Sequence, residues 1–216
     1  MLTVTDGFRE AFPGAVVGAL AMGGVRNPER SDALEEAKRT LESELRERGD
    51  LDGNPVLRAY ADYYRAFGKT FHVKAQWESV AVKGKPIPTR AALVEAMFMA
   101  ELRSLVLTAG HDLDALAGAL RADVSADGDA YVTLGGTDAV LLRGDMLMAD
   151  ADGIVSSVLR GPDQRTRITH ATTRVVFAVY APAGVPRDTV ARHLDDLREN
   201  VELIAPGART EALVAL

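Results

Sequence analysis

The chain has 216 residues, of which 47% are hydrophobic and 26% are charged, and its net charge at pH 7 is −6. It contains no cysteine, which excludes disulfide bonds, thiol nucleophiles and zinc–thiolate sites. The acidic balance argues against stable, non-specific binding of nucleic acid, although a local basic patch can still make a weak or transient contact.

Targeting signals are not evident in the sequence. No apolar run approaches the roughly 18 residues that a membrane-spanning helix needs. Residues 1–9 include an acidic residue and lack a basic start before an apolar core, so they are a poor signal peptide. Together with the absence of cysteine, these features favour a cytoplasmic location and no membrane partner.

Helix signals dominate the first half of the chain. The small apolar run at 14–21 predicts a buried strand. Ser31-Asp32 opens a helix, with Glu35 at capping-box spacing from Asp32, and Asn54-Pro55 opens another that stops at Gly68. Two further helices are predicted at 75–83 and 91–105, on either side of a rigid Gly/Pro loop at 84–88.

Strand signals dominate the second half. Short apolar runs at 131–134, 139–142, 154–159 and 175–180 alternate with Gly and Asp, which predicts strands of one sheet. A helix is predicted from Asp188 to about residue 200, followed by a strand-like end at 201–205. The fold class is therefore α+β: one domain over residues 1–216, with a central mixed, mostly antiparallel sheet flanked by helices. Residues 1–55 are interpreted as a strand and helix extension packed on it.

A series of short motifs resembles one known family. In chain order they are YRAFG (64–68), GKPIP (84–88), LVE (93–95), HDLD (111–114), LGG (134–136), MAD (148–150) and QRTRIT (164–169). Their order and spacing, over about residues 60–189, resemble the B3/B4 domain. That domain is the editing module of the phenylalanyl-tRNA synthetase β subunit, and it also occurs as free-standing proteins.

The resemblance implies a trans-acting editing protein that hydrolyses the ester of a mischarged aminoacyl-tRNA in a cleft over the sheet. Catalytic roles are assigned to the backbone N–H groups of Gly135 and Gly136, which would hold the oxyanion, and to His111, which would orient water as a base. The expected contacts to the aminoacyl group come from Phe98, Thr108, Asp112, Thr137, Gln164 and Thr166. Those to the tRNA backbone come from Arg165, Arg167 and Lys85.

Several of these residues also have ordinary structural interpretations. His111 can be a turn histidine that is exposed or bonded to backbone, and Asp112 can cap the next turn. Phe98 can be core packing, and it stands where the synthetase has Asn. Gln164 stands near the family's Glu. A non-catalytic module that binds an aminoacyl-tRNA end, an amino acid or a protein partner is therefore the alternative function. A small-molecule enzyme acting on an amino-acid ester or amide is a third.

No metal or cofactor is expected from the sequence. The four histidines lack metal-ligand spacing, and there is no phosphate-binding Gly-Lys-Ser/Thr loop. Asp145, Asp150 and Asp152 resemble the start of a calcium loop, but the downstream Glu is missing, so they are interpreted as turn residues.

Overall fold

The structure is a computed structural model that describes residues 2–216. The described residues form six α-helices and eleven strands, beginning and ending with a strand. The helices are α1 (Asp6–Ala11), α2 (Asp32–Glu47), α3 (Pro55–Ala66), α4 (His72–Ala81), α5 (Ala92–Ser104) and α6 (Arg187–Ile204). The strands are β1 (Leu2–Val4), β2 (Val16–Gly23), β3 (Thr108–Asp112), β4 (Leu120–Val124), β5 (Ala130–Val132), β6 (Asp138–Val140), β7 (Met146–Asp150), β8 (Gly153–Ser157), β9 (Gly161–Pro162), β10 (Arg174–Ala181) and β11 (Arg209–Ala215).

The strands form two main sheets and one separate hairpin. A five-stranded sheet has the order β1-β4-β7-β8-β9, and a four-stranded sheet has the order β11-β2-β10-β3. The pair β1–β4 is parallel, whereas the other pairs are antiparallel. The predicted α+β class, with a mixed, mostly antiparallel sheet and flanking helices, is confirmed. The strands predicted to share one sheet are instead divided, because β5 and β6 pair only with each other, β8 joins the five-stranded sheet and β10 the four-stranded one.

The centre of the four-stranded sheet is the best-buried part of the molecule. All eight residues of β2 are buried, as are seven of the eight residues of β10. Continuous apolar runs of this kind are typical of strands that are covered on both faces. Helix α6 packs against β2, and α5 packs against both α6 and β3. The main hydrophobic core contains residues from β1 through α6.

The helix predictions are largely correct, and two predictions at the chain's second half are wrong. Residues 201–204, predicted to begin a strand, complete α6, since Val201 and Ile204 continue its buried stripe. The strand lies further on, as β11. The turn suggested for His111 is instead part of a strand, because residues 108–112 form β3, which pairs with β10 from Thr108 opposite Val179 to Asp112 opposite Val175.

The first 55 residues contribute to both sheets. β1 pairs with β4, and β2 is an inner strand between β10 and β11. The division into a 1–55 extension and a remaining domain stays a prediction.

No helix within residues 2–216 combines the length and the apolar character needed to traverse a lipid bilayer.

Candidate functional site

Some of the predicted site residues line two cavities. The first, which we call the helix cavity, has a volume of about 550 Å³ and lies between α4, α5 and the loop at 82–91. Its lining includes Gln76, Val80, Lys85, Met97, Phe98 and Glu101. The second, the hairpin cavity, has a volume of about 570 Å³ beside β5 and β6, and its lining includes Gly135, Thr137 and Arg160. Of the twelve predicted site residues, Phe98 and Lys85 thus line one cavity, and Gly135 and Thr137 line the other.

The loop wall of the helix cavity is fixed by α2. The Lys38 ammonium is 2% exposed, and its Nζ lies 2.8 Å from Glu95 Oε2 on α5. The same Nζ donates to the Thr89 hydroxyl at 2.9 Å and to the Pro88 carbonyl oxygen at 3.4 Å. The Ile87 N–H donates to Glu42 Oε1 at 2.7 Å. Because α2 holds the loop at several backbone and side-chain atoms, the cavity is a built feature of the fold.

The floor of the helix cavity contains a buried carboxyl group. Helix α5 ends at Leu105, whose left-handed backbone (φ 64°) turns the chain into β3. This turn brings the Thr108 N–H to 2.8 Å from Glu101 Oε1. Glu101 is 5% exposed, and burial raises the pKa of its carboxyl to about 8, although the bond from Thr108 opposes that shift. Glu101 is therefore mostly protonated at pH 7.

The remaining lining of the helix cavity is mostly apolar. Val80, Met97 and Phe98 supply hydrocarbon and aromatic surface, and Met97 and Phe98 are only half-buried although they pack on the core. Gln76 adds one polar group, because its Oε1 is buried and has no hydrogen-bond partner. The cavity thus combines an apolar body with the acceptors of Gln76 and Glu101, beside the Ser79 hydroxyl and the Glu95 carboxylate that Lys38 already compensates.

His111 lies in β3 and lines neither cavity. Its side chain is 0% exposed and belongs to a chain of hydrogen bonds that crosses from one main sheet to the other. The Thr166 hydroxyl donates to Asp163, so its oxygen accepts the proton of His111 Nδ1 at 2.7 Å. His111 Nε2 then accepts from Ser156 Oγ at 3.0 Å, and Ser156 accepts from the Tyr180 hydroxyl.

This environment keeps the His111 ring neutral. Burial lowers the pKa of His111 to about 4, because the charged ring would lose its hydration. Neither ordinary interpretation of His111 is correct, since the residue is not in a turn, is not exposed and bonds to side chains. The catalytic role predicted for it stays a prediction.

Thr108 and Thr166, both predicted to contact substrate, are also buried in hydrogen-bonded positions. Thr108 Oγ1 lies 2.6 Å from Nε2 of His193 on α6, whose Nδ1 lies 2.8 Å from Ser104 Oγ. Burial lowers the pKa of His193 to about 4. Thr108 nevertheless reaches the helix cavity indirectly, because its N–H positions Glu101.

The turn between β5 and β6 has one of its two predicted oxyanion donors already in use. The N–H of Gly136 donates to the Thr133 carbonyl oxygen at 2.8 Å, and its φ of 76° suits glycine. The Gln164 amide nitrogen lies 3.4 Å from where a Cβ on Gly136 would stand. Gln164 and this turn are therefore brought together as predicted, and an oxyanion there would depend on the N–H of Gly135.

Asp112 has the capping role that was considered for it. Its carboxylate accepts from the Asp114 N–H at 3.0 Å, at the start of a single 3₁₀ turn (Leu113–Ala115), and from the Thr172 hydroxyl at 2.7 Å. Both oxygens are thus engaged within the fold.

The three predicted tRNA-binding cations differ in their availability. Arg165 is bound to the buried carboxylate of Asp150 at 2.8 Å and to the Ala115 carbonyl oxygen at 3.1 Å. Arg167 is exposed and donates to the Gln164 carbonyl oxygen at 2.8 Å. Lys85 is exposed at the rim of the helix cavity. Lys85 and Arg167 therefore present their charge to solvent, whereas Arg165 is largely neutralised.

The aspartates that resemble a calcium loop act separately in the fold. Asp145 accepts from the Tyr63 hydroxyl at 2.6 Å, and Asp150 accepts from the Asp152 N–H at 3.0 Å in the β7–β8 turn. Within residues 2–216, no group of three or more His, Asp or Glu side chains is arranged to hold a metal ion.

Sequence reasoning missed Gln76 and Glu101. A signal was available for Glu101, because α5 is mostly apolar up to its last turn, so an acidic side chain that continues its apolar pattern has a high chance of facing the interior. For Gln76 no sequence signal distinguishes it from a surface residue of α4.

Comparison with solved structures finds a similarity to an N-terminal fragment of the phenylalanyl-tRNA synthetase β subunit from Pyrococcus horikoshii. The alignment covers 100% of this chain and 53% of that chain, with a TM-score of 0.52 and 11% sequence identity. The chain therefore spans about half the length of that fragment, and at this identity the similarity shows the fold alone. No protein-family model matches the chain, and no curated protein matches it.

Proposed function

We propose that this protein binds the aminoacylated end of a tRNA and hydrolyses the ester bond, acting in trans. The observation that carries the proposal is the fold similarity, which extends over the whole chain, to part of a tRNA synthetase β subunit. From that enzyme we take only the class of ligand to test, an aminoacylated tRNA end.

The helix cavity is the place that we assign to the aminoacyl group. Its volume of about 550 Å³ lies within the usual range of small-molecule pockets, about 300–1,000 Å³. Phe98, predicted to contact substrate, forms part of its apolar wall, and Lys85 at the rim can meet a terminal phosphate. Arg167 and Gln164 extend the proposed contact surface along the segment that follows β9.

The chemical step is addition of water to the ester carbonyl carbon. The tetrahedral oxyanion collapses, the ribose oxygen leaves with a proton, and a free amino acid and a free tRNA end result. The lining of the helix cavity offers no histidine, so we assign most of the rate to positioning of the ester and water. The catalytic roles predicted for His111, Gly135 and Gly136 stay predictions, because none of the three lines this cavity.

A non-catalytic binding module is the second candidate. The sealed position of His111 and the use of the Gly136 N–H inside its own turn favour it, because two of the three predicted catalytic groups are occupied by the fold. In this case the protein would hold the aminoacylated end without cleaving it.

The test is amino-acid release from a panel of correctly and wrongly charged tRNAs, with binding of the same tRNAs measured in parallel. Release of one or a few amino acids well above the spontaneous rate supports the deacylase. Binding without release supports the module, and absence of both contradicts a tRNA-related role.

Two matched pairs of variants locate the site. Phe98→Ala removes a cavity wall, whereas Val82→Ala truncates an exposed side chain of similar character outside the cavity lining. Lys85→Ala removes a rim charge, whereas Lys83→Ala removes an exposed charge two positions earlier. We expect losses of release or binding from the first member of each pair only. Equal effects within both pairs would contradict the placement in the helix cavity.

A further inference from the structure

The helix cavity contains a carboxyl group whose partners do not account for its burial. The exposed fraction of Glu101 is 5%. Within the described part of the chain it has one hydrogen bond, which the Thr108 N–H donates to its Oε1. It takes part in none of the salt bridges among residues 2–216, in contrast to Glu95 on the same helix, which pairs with Lys38. Burying a carboxyl group without a cation partner costs free energy, so a carboxyl group at this position does not serve core packing.

A second acceptor lies in the same cavity. Gln76 Oε1 is buried without a hydrogen-bond partner, and Gln76 and Glu101 reach the cavity from different helices, α4 and α5. An unsatisfied buried acceptor lowers stability, because it has lost its hydrogen bonds to water without gaining a partner. Two acceptors that face one cavity from opposite elements are satisfied together by a ligand that carries several donors.

We infer that the helix cavity binds a primary ammonium group attached to a small apolar body, with Glu101 and Gln76 as the acceptors of the ammonium protons. An ammonium group has three donors and no acceptor, and its charge compensates the buried carboxylate. The apolar body lies against Val80, Met97 and Phe98. The exposed cations Lys85 and Arg90 at the rim leave room for an acyl or anionic group at the open end.

This inference rests on the proposed function in one respect only. If the ligand is an aminoacyl ester, its α-ammonium is the group that Glu101 selects. Glu101 is then a specificity-determining residue, whereas a carboxylate or neutral head would leave both acceptors without a compensating donor or would repel Glu101.

Binding of an ammonium group must displace a proton at neutral pH. Burial raises the pKa of Glu101 to about 8, and a cation beside the carboxyl favours its charged form, so binding at pH 7 releases a proton. The charged and titratable groups around Glu101 are Tyr60 and Tyr64 of α3, Lys38 of α2 paired with Glu95, Lys85 and Arg90 of the loop, and His193 of α6 behind Thr108. Lys38 is already committed to Glu95 and Glu35, and burial keeps His193 neutral, which leaves Glu101 as the source of the proton.

The experiment is calorimetric titration of the full chain with three probes of matched size: 3-phenylpropan-1-amine, 3-phenylpropan-1-ol and 3-phenylpropionate. Each titration is run at pH 7 in two buffers that differ in ionisation enthalpy. We expect the amine to bind at least tenfold more tightly than the alcohol or the carboxylate. We also expect its heat to depend on the buffer in the sense of proton release.

The variants test the two acceptors. Glu101→Gln keeps the shape and the bond from Thr108, so it should lower amine affinity at least tenfold, abolish the buffer dependence and leave alcohol affinity unchanged. Gln76→Leu should lower amine affinity by a smaller factor and keep the buffer dependence. The matched control is Glu78→Gln, a change of the same kind on α4 outside the cavity lining, which should behave as the unmodified chain.

Equal affinity for the three probes, no binding of any probe, or unchanged amine binding in Glu101→Gln would overturn the inference. Folding of Glu101→Gln is checked by urea unfolding, where it should be more stable than the unmodified chain at pH 8 and equal to it at pH 4. Should that variant fold poorly, Gln76→Leu and the probe comparison still decide. The titrations contain no tRNA. Amine selectivity without ester hydrolysis would therefore contradict the deacylase alone, and hydrolysis without amine selectivity would contradict this inference alone.

Discussion

Two glutamates of α5 show how one residue type serves opposite purposes within a helix. Glu95 is buried beside Lys38 and also accepts the Arg90 N–H, so its charge is compensated and it fixes the loop over the helix cavity. Glu101 has one backbone donor and a raised pKa, so its site favours the protonated carboxyl. The first glutamate contributes to stability, whereas the second lowers stability at neutral pH and is kept available for a ligand.

The Lys38–Glu95 pair gives a prediction at the residue scale. Lys38→Met leaves the Glu95 carboxylate, 4% exposed, without its cation, and we expect the free energy of unfolding to fall by about 3–5 kcal/mol. The measurement is urea unfolding at pH 7. In the double variant Lys38→Met with Glu95→Gln no charge is left buried, and at least half of the loss should be recovered. A loss below about 1 kcal/mol in the single variant would contradict the compensating role.

At the scale of elements, the N-terminal caps of α3 and α2 differ in strength. Asn54 Oδ1 accepts from the Val56 N–H at 2.9 Å and from the Leu57 N–H at 3.1 Å at the start of α3. Ser31 Oγ accepts from the Leu34 N–H at 3.5 Å at the start of α2. The two caps differ in both the number and the length of their bonds, so they should differ in the free energy they contribute.

The expected effect follows from that geometry. Asn54→Ala should lower the free energy of unfolding by about 1–2 kcal/mol, at the upper part of the usual range for caps, and Ser31→Ala by about 0.5 kcal/mol. Denaturant unfolding of both variants checks the order. Asn54→Asp keeps the acceptor and should stay close to the unmodified chain, and a larger loss in Ser31→Ala than in Asn54→Ala would reverse our assignment.

Element by element, local signals explain what the sequence could predict. The start of α3 at Asn54 and the apolar run of β10 are local patterns that are confirmed, whereas the cap of α2 is Ser31 and not Asp32, whose spacing to Glu35 predicts a capping box. β11 was missed because its residues alternate polar and apolar only weakly and include Arg209 and Glu211, and β1 has only three residues. Both are held by pairing to distant strands, which no local pattern records.

The same distinction between local patterns and distant contacts applies to the residues of the candidate site. Phe98 and Lys85, both predicted site residues, line one cavity, whereas the burial of His111 depends on Ser156 and Thr166, which approach it from distant parts of the chain. The burial of His111 and its side-chain partners are properties of the assembled sheets, which the sequence around His111 does not record. The role of Glu101 likewise depends on Thr108 being folded back onto it.

At the scale of the whole molecule, the pH dependence of stability combines groups from the four-stranded sheet, α5 and α6. Burial lowers the pKa of His111 and of His193 to about 4, below the value near 6.5 in the unfolded chain. The unfolded state therefore binds more protons below pH 6.5. Their contribution to stability is fully present above pH 6.5 and is lost as the pH falls towards 4. Glu101 has the opposite sign, since its raised pKa removes stability as the pH rises from about 4.5 to about 8.

This gives a prediction best measured in the Glu101→Gln background, where the opposing slope is absent. We expect the free energy of unfolding to fall by several kcal/mol between pH 7 and pH 4, since each pKa unit corresponds to about 1.4 kcal/mol. Urea midpoints across this range test the size, and NMR of the histidine rings tests the cause. Rings of His111 and His193 that titrate near pH 6.5 would contradict the burial argument.

The position of β2 in the four-stranded sheet has a consequence for biosynthesis. Its eight buried residues are made early, yet both neighbours, β10 and β11, come from residues 174–215. During translation this apolar strand must wait, without its pairing partners, while about 150 residues are added, because contacts so distant along the chain form late. In that interval β2 is an apolar segment that chaperones can bind and that can aggregate. The yield of folded protein therefore depends on how soon β10 and β11 are synthesised and pair with β2.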